Sequence, residues 1–143
     1  MDAEQARAFV RRHHRAILAA RRADGSVQLS PVLAGIDDKG RVEISSNEGK
    51  AKVANVHRDP RVSILVMTEK FFERRWIQVD GTAQVVSLPG AADALLAYER
   101  RMADDRELPP ADELRRRHEE SRSVLIRVSI DRVGPAGARL DAD

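Results

Sequence analysis

Two turn signals divide the first third of the chain into apolar segments of strand length. The runs ADG at 23–25 and DDKG at 37–40 are typical of tight hairpin turns. The segments beside them, 16–20, 26–36 and 41–45, are apolar or alternate between apolar and polar residues. This spacing predicts three consecutive antiparallel strands, a meander.

The remaining segments add helices and three further strands. Apolar residues at helical spacing, together with capping residues and Pro, predict helices. They cover 2–13, 49–58, a segment that starts at Ser87-Leu88-Pro89, and a segment from Pro109-Pro110 to about Glu120. The further strands are 61–68, 74–87 and 123–130. Strands and helices do not alternate as in a doubly wound parallel sheet, so the order predicts a mainly β fold with flanking helices (α+β), a small antiparallel barrel whose openings the helices fill.

Length and the absence of linkers indicate one domain. The 143 residues contain no repeat and no stretch long enough to separate domains. We predict a single domain over 1–133 and a loose tail over 134–143. No apolar run approaches the roughly 18 residues of a membrane span, and the first residues lack the apolar core of a secretory signal. We therefore expect a cytoplasmic protein without a membrane partner.

Composition argues against several classes of chemistry. The chain has no Cys, which excludes disulfides and thiol nucleophiles. Its net charge is +2 and its Arg clusters are interleaved with acidic residues, unlike the one-sided basic face of nucleic-acid-binding proteins. His13 and His14 are adjacent and point apart, while His57 and His118 stand alone among charged neighbours and are predicted to be solvated. We expect neither nucleic acid nor a metal ion as a partner.

The segment from Ser45 to Lys52 is the best candidate for a ligand site. It lies where a strand ends and a helix begins, and free N–H groups at a helix N-terminus attract anions. Two of the four lysines of the chain, Lys50 and Lys52, are two positions apart here. The alternative is a capped helix with a solvated basic face, since the segment matches no P-loop or GxGxxG signature.

Trp76 lies on the polar face of its strand. A buried Trp removes roughly 150–250 Å² from water, which is worth about 4–6 kcal/mol at most. We therefore expect a partner subunit, a bound aromatic ring or a neighbouring helix to cover it. The strand over 61–68 is apolar on both faces between Ile64 and Met67, which favours a partner subunit. We predict a homodimer, and the alternative is a second apolar cluster within one chain.

Three segments together resemble a known family. They are ILAARRADGSVQLSPV, DDKGRVEISSNEGKAKVANVHRDPRVSILV and RWIQVDGTAQVVSLP, in this order, within about residues 10–133. They resemble the split β-barrel flavin proteins of the pyridoxamine 5′-phosphate oxidase-like superfamily, and most closely the branch that uses the deazaflavin coenzyme F420. The resemblance implies a six-stranded antiparallel split barrel that dimerises and binds two cofactors in grooves between its subunits.

The resemblance also implies which residues contact the tricyclic ring of the cofactor. Ser30, Pro31 and Val32 would lie along the ring and offer it backbone groups. Trp76 and Gln78 would come from the partner chain or line the groove.

The phosphate end of the cofactor is implied to meet a second set of residues. Ser45 and Ser46 would hold the phosphate or the ribityl chain. Lys50 and Lys52, with Asn55 behind them, would bind the phosphate. This implied role agrees with the anion site expected from the residues alone.

The chain departs from the oxidases in two places. Those enzymes carry a basic residue where Ser30 stands, and they end in Trp- and Arg-containing motifs that bind pyridoxamine phosphate, whereas this chain ends in SIDRVGPAGARLDAD. The resemblance therefore implies an F420H₂-dependent reductase that transfers a hydride to a small conjugated substrate. The alternatives are an FMN-dependent oxidoreductase and a non-enzymatic flavin or deazaflavin carrier. No catalytic residue is assigned, and the proton is expected to come from solvent.

Overall fold

Six strands form a closed antiparallel barrel in the computed structural model, which describes residues 1–134 and, for Phe71, the backbone alone. In chain order the elements are α1 (Ala3–Arg12), β1 (Arg15–Arg21), β2 (Val27–Ile36), β3 (Val42–Asn47), α2 (Ala51–Arg58), β4 (Arg61–Met67), β5 (Trp76–Ser87), α3 (Ala92–Ala103), α4 (Ala111–Ser121) and β6 (Ser123–Gly134). Around the barrel the strand order is β1-β2-β3-β6-β5-β4. The predicted antiparallel barrel with flanking helices is confirmed.

The paired region between β2 and β3 is much shorter than the paired region between β1 and β2. β1 and β2 pair along the whole of β1, whereas β2 and β3 pair only between 34–36 and 42–44. The first part of β2, 27–33, therefore has a strand partner on one side only within the described chain. This opening is the split in the barrel, and it leaves backbone groups of β2 without a ladder partner on that side.

The barrel interior is filled by alternate residues of every strand and by one face of two helices. Asp2 caps α1 through a capping box with Gln5, because each side chain accepts a bond from the other residue's backbone N–H. Phe9 and Val10 of α1 and Val53 of α2 then join the same buried cluster as the inward-facing strand residues. Apolar burial of this kind supplies most of the driving force for folding.

Gly81 of β5 lies opposite a bulge in β6, where Asp131 is the extra residue. The register between β5 and β6 shifts between Asp80 and Gly81. A Cβ atom on Gly81 would lie 2.1 Å from the backbone oxygen of Ser129, so a side chain has no room here. The absence of a side chain at Gly81 therefore lets β5 and β6 approach closely at this bulge.

Helices α3 and α4 lie against the outer surface of β3 and β6. Leu95 and Tyr98 of α3 pack with Leu125 of β6 in a second buried cluster. Beneath the same helix, Glu43 of β3 is almost fully buried and its Oε1 lies 2.7 Å from a guanidinium nitrogen of Arg101. The buried side of α3 is thus a packing face, and α3 covers this half of the barrel.

The outer surface of β2, β1, β4 and β5 has no such cover within the described chain. We call it the open sheet face; its outward apolar residues are Val27, Leu29, Leu33, Ile17, Leu65, Met67 and Trp76. Leu29 is 67% exposed, Leu33 48% and Trp76 39%. Trp76 therefore lies on the outer face of its strand as expected, and the homodimer that would cover it stays a prediction.

Several predicted boundaries move by a few residues. α2 begins at Ala51 rather than 49, α3 begins at Ala92 rather than at the Ser-Leu-Pro run, and a 3₁₀ turn at Phe71–Glu73 was not expected. β6 continues past 130 to Gly134, where it pairs with Gln78 of β5. Of the predicted loose tail 134–143, the first residue is therefore strand, and 135–143 lie outside the described residues.

None of the helices in residues 1–134 combines the length and the apolar character that a bilayer crossing demands. The longest is α3, with 12 residues, whereas a helical span needs about 20.

Candidate cofactor-binding groove

A groove of about 660 Å³ opens at the split of the barrel. Its walls come from β1, β2, β3, α2, the end of β4, and α3 with the loop after it. The lining residues are Arg15, Ala16, Ile17, Pro31, Val32, Leu33, Ser45, Lys52, Met67, Tyr98, Glu99, Met102 and Arg106. We call this the split groove, and its size suits a small organic ligand.

The short β2–β3 hairpin explains why the groove forms here. Pro31 lies in the part of β2 without a second strand partner, and a Pro lacks the N–H that a ladder would need. α2 follows β3 directly and is tied to β2 by a 2.6 Å bond from the Asn55 side-chain nitrogen to Gln28 Oε1. The first turn of α2, with Lys52, therefore lies beside the opening.

The chemistry of the groove changes along its walls. Ile17, Pro31 and Met67 supply apolar surface, which suits the face of a flat ring. Lys52, Arg15 and Arg106 supply positive charge. Lys52 also lies in the first turn of α2, where N–H groups lack intrahelical partners and favour an anion.

Tyr98 fixes the α3 wall against the strands. Its hydroxyl donates a 2.9 Å hydrogen bond to the backbone oxygen of Leu33. Burial raises the pKa of Tyr98 to about 12, and the nearby Glu99 and Glu43 carboxylates act in the same direction. The hydroxyl therefore stays protonated at neutral pH and holds α3 against β2.

A second hollow of about 680 Å³ lies on the open sheet face and shares Met67 with the split groove. Its other lining residues are Leu65, Thr68, Arg74, Arg75, Trp76 and Gln78. The Gln78 side-chain nitrogen donates to Asp80 Oδ1 at 2.9 Å. Ligand or partner surface that enters the second hollow would therefore lie next to the groove.

The comparison with protein families assigns the chain. The sequence profile of the family described as Pyridoxamine 5′-phosphate oxidase matches residues 3–134. The chain belongs to this family. The family membership predicted from the sequence is thus confirmed. The family supports a flavin-type oxidoreductase as the general functional class of the chain.

Solved structures of low sequence identity share this fold of the pyridoxamine 5′-phosphate oxidase family. A protein titled F420 Reductase is 21% identical with a TM-score of 0.67, covering 89% of this chain and 94% of its own. A conserved hypothetical protein from Mycobacterium tuberculosis is 22% identical with a TM-score of 0.73, covering 93% and 82%. A FAD-binding protein from Mesorhizobium loti is 19% identical with a TM-score of 0.62, covering 93% and 92%. At these identities the likeness establishes the fold.

Four of the predicted cofactor residues meet in the split groove of this family member. Pro31, Val32, Ser45 and Lys52 all line it. They come from three different elements, so the sequence placed them together only through the resemblance. Their roles toward a cofactor stay predictions.

Three other predicted cofactor residues have side chains that do not face the split groove. Ser30 is buried and pairs with the core residue Leu18, and Ser46 is buried opposite the core residue Val124, so both side chains belong to the inward face. Asn55 is buried and accepts a 2.6 Å bond from Arg58 while it donates to Gln28. These side chains do not line the groove, because each lies on the face that its strand or helix turns toward the core or toward β2.

The last three predicted residues are accessible at other positions. Lys50 is the exposed residue that precedes the first turn of α2 and does not line the groove. Trp76 and Gln78 line the adjacent second hollow. A cofactor contact from Trp76 or Gln78 is therefore compatible with a position beside the groove or across from a partner subunit.

The prediction that His118 is solvated was wrong. It is 8% exposed, and its Nδ1 lies 2.8 Å from Ser123 Oγ. His57, predicted to be solvated as well, is exposed. The charged neighbours of His118 in the sequence lie on the other faces of α4, and the helical period alone turns His118 and Leu114 inward.

Sequence reasoning missed most of the α3 wall. Glu99, Met102 and Arg106 line the groove, as does Arg15 at the start of β1. The sequence predicted the helix α3, but it did not indicate which strands α3 packs against. Within residues 1–134, no cluster of three or more His, Asp or Glu side chains is arranged to hold a metal ion.

Proposed function

We propose that this member of the pyridoxamine 5′-phosphate oxidase family is an F420H₂-dependent reductase that transfers a hydride to a small conjugated substrate. The observation that carries the proposal is the split groove, in which apolar strand residues and three cations line one cavity. The solved structure titled F420 Reductase, which shares this fold, also supports the proposal. The expected cytoplasmic location is part of this proposal.

The groove fits the chemistry of a deazaflavin nucleotide. A flat ring system can lie against Ile17, Pro31 and Met67, and the unpaired edge of β2 offers it backbone groups. A phosphate can bind Lys52 at the start of α2, where charge-assisted hydrogen bonds and the helix dipole act together. Arg15 and Arg106 suit the carboxylates of the F420 tail.

The reduced deazaflavin supplies a hydride to an electron-poor double bond or imine when it is bound. The chain's own residues do the remaining work. Lys52 holds the anionic end, the apolar strand residues orient the ring, and α3 closes one side of the groove against water through Tyr98 and Met102. Fixed orientation and exclusion of water lower the barrier without a covalent role for the protein.

A homodimer is part of the proposal. The open sheet face exposes Leu29 and Leu33 on β2 and Trp76 on β5, with β1 and β4 between these two strands. Apolar surface of this extent, rimmed by charged residues such as Arg61 and Arg132, is typical of a protein interface. A second copy on this face would cover Trp76 and the second hollow, and it would form another wall beside the split groove.

An FMN-dependent oxidoreductase is the second candidate. The neighbour titled as a FAD-binding protein supports it, because the same fold there carries a flavin. A carrier without a substrate pocket is the third candidate, and it predicts cofactor binding without turnover.

Fluorescence titration of the purified protein separates these candidates. Binding of F420 at least tenfold tighter than FMN, followed by oxidation of F420H₂ with a panel of quinones, enones and tetrapyrroles, is the expected result. Tighter binding of FMN would replace the deazaflavin assignment. Binding without turnover across the panel would favour the carrier.

Lys52→Ala tests the phosphate assignment within the same titration. Loss of one charge-assisted hydrogen bond is worth roughly 1.5–3 kcal/mol, so the cofactor Kd should rise about tenfold to a hundredfold. The matched control is Lys39→Ala, which removes an exposed lysine in the turn between β2 and β3. An equal Kd for both variants would remove the phosphate from this end of the groove.

A further inference from the structure

We propose that Glu99 is the proton donor of the split groove and that the buried His118 behind it restores the proton. This rests on the proposed function, because the reduction of a double bond requires one hydride and one proton. From the sequence alone we expected the proton to come from solvent. The structure instead places a carboxyl group in the groove wall with an imidazole directly behind it.

The imidazole of His118 has one satisfied and one unsatisfied nitrogen. Nδ1 lies 2.8 Å from Ser123 Oγ, which orients the ring. Nε2 is buried and has no hydrogen-bond partner among the described residues. Its neighbour within ion-pair range is Glu99 Oε1, at 3.4 Å, a distance too long for a well-formed hydrogen bond. A buried polar nitrogen without a partner is unusual in a folded protein, and a catalytic role is one of the explanations for it.

Glu99 connects this nitrogen with the groove. Its side chain is 31% exposed and the residue lines the split groove, whereas the side chain of His118 is only 10% exposed. Contact with a bound substrate is therefore open to Glu99 and closed to His118. Glu99 is the candidate catalytic residue, and His118 acts through it.

The other titratable and charged groups that face the groove are less suited to donate a proton. Arg15 and Arg106 carry guanidinium groups, which bind anions but do not serve as proton donors, and Lys52 is assigned to the anionic end of the cofactor. The hydroxyl of Tyr98 donates to the backbone of Leu33, and burial raises its pKa to about 12.

The order Ser123, His118, Glu99 resembles a hydrolase triad, but the arrangement does not fit one. In a triad the imidazole Nε2 faces the serine and Nδ1 faces the acid. Here the ring is reversed, with Nδ1 toward Ser123 and Nε2 toward Glu99. Ser123 is also only 5% exposed. Among these three side chains, the accessible one is the carboxyl group of Glu99, which suits proton donation.

The reduction adds one hydride and one proton to the substrate. The hydride forms a new C–H bond at the electron-poor carbon of the substrate, and the electron pair of the double bond moves to the adjacent atom. The O–H bond of the protonated Glu99 breaks, and its proton bonds to that atom. His118 is neutral during this transfer, with its one proton on Nδ1 toward Ser123 Oγ. Its Nε2 then takes a proton from the solvent and passes that proton to the Glu99 carboxylate.

Glu99→Gln tests the donor with the cofactor-loaded protein. It keeps the size of the side chain but removes its transferable proton, so kcat should fall about a hundredfold or more, with the cofactor Kd within threefold of wild type. Glu99→Asp should recover part of the loss. The matched control is Glu119→Gln, an exposed residue of α4, which should leave kcat unchanged.

His118→Gln tests the supply of the proton. A glutamine at this position can still donate a hydrogen bond toward Glu99 but cannot pass a proton on. We expect a lower kcat at unchanged KM, and a fall in rate with rising pH that begins at lower pH than in wild type. A variant that loses thermal stability but keeps the wild-type pH profile would show that His118 is structural.

The pair can also be measured in the protein without cofactor. If Glu99 contacts His118 in solution, Glu99→Gln should move the ¹⁵N resonance of His118 Nε2, while Glu119→Gln should not. An unmoved Nε2 resonance would overturn the proposal. If Glu99→Gln is as active as an active wild type, the assignment of Glu99 as proton donor is wrong, but the proposed reductase activity is retained. Wild type that binds F420 and reduces nothing would contradict both.

Discussion

The two halves of the outer barrel surface differ in what covers them. The outer face of β3 and β6 is covered by α3 of the same chain, where Leu95 and Leu125 are fully buried. The open sheet face on β2, β1, β4 and β5 is left with Leu29 67% exposed and Trp76 39% exposed. One buried apolar cluster lies behind both faces, so the difference lies in what covers the outside.

This difference places the split groove at a boundary. Its α3 wall, including Glu99, belongs to the half that the chain covers itself. Its β1, β2 and β4 wall, including Ile17 and Met67, borders the half that the chain leaves open. A second copy on the open sheet face would therefore act on the groove from one side only, and the two halves can be tested separately.

The largest expected effect lies in the covered half. Leu95→Ala should lower the free energy of unfolding by about 3 kcal/mol, because it leaves a cavity between α3 and the barrel. Urea denaturation measures the loss. Arg100→Ala, on the exposed side of α3, is the control and should cost little. A small loss for Leu95→Ala would mean that α3 is not held firmly on β3 and β6.

The open half should respond through association instead of folding. Leu29→Asp places a charge on the open sheet face, so it should raise the dimer dissociation constant at least about a hundredfold, equivalent to roughly 2.7 kcal/mol, with little change in the stability of a monomer. Ala8→Asp, on the exposed side of α1, is the control. Sedimentation of the wild-type chain as a monomer at micromolar concentration would remove the interface altogether.

A smaller effect concerns pH and the covered half. Burial raises the pKa of Glu43 above its ordinary 4.5, and Arg101 opposes this shift. Between pH 4.5 and the raised value the folded state binds more protons than the unfolded chain, so unfolding free energy falls as pH rises through this window.

Glu43→Gln removes that dependence. The stability of wild type relative to the variant should therefore be greatest at acidic pH and decline by up to about 1.4 kcal/mol per unit of pKa shift as pH rises. Urea titrations from about pH 4 to pH 8 measure it, and Glu120→Gln on exposed α4 is the control. A difference that grows with pH would reverse the sign of the inferred pKa change.

Much of the fold was predictable because its signals are local. The turn runs at 23–25 and 37–40 correctly predicted the β1–β2–β3 meander. The extension of β6 to Gly134 was missed because its last residues, DRVG, lack apolar alternation and are held by pairing with β5. A pairing between distant segments leaves little trace in either segment alone.

The candidate site was less predictable for the same reason. Lys52 was found because it stands at a strand-to-helix junction, which is a local feature. Glu99 and Arg106 were missed because their place in the groove depends on where α3 docks. His118 was misjudged because its sequence neighbours are charged, while its own side chain faces β6.

Cofactor titration of the monomeric Leu29→Asp variant tests most directly whether the open half completes the groove. Leu29 does not line the split groove, and every lining residue stays in place in this variant. We predict that the Kd for F420 rises at least tenfold relative to wild type and to Ala8→Asp. A monomer that binds F420 as tightly as wild type would contradict the claim that a second copy of the chain forms part of the site.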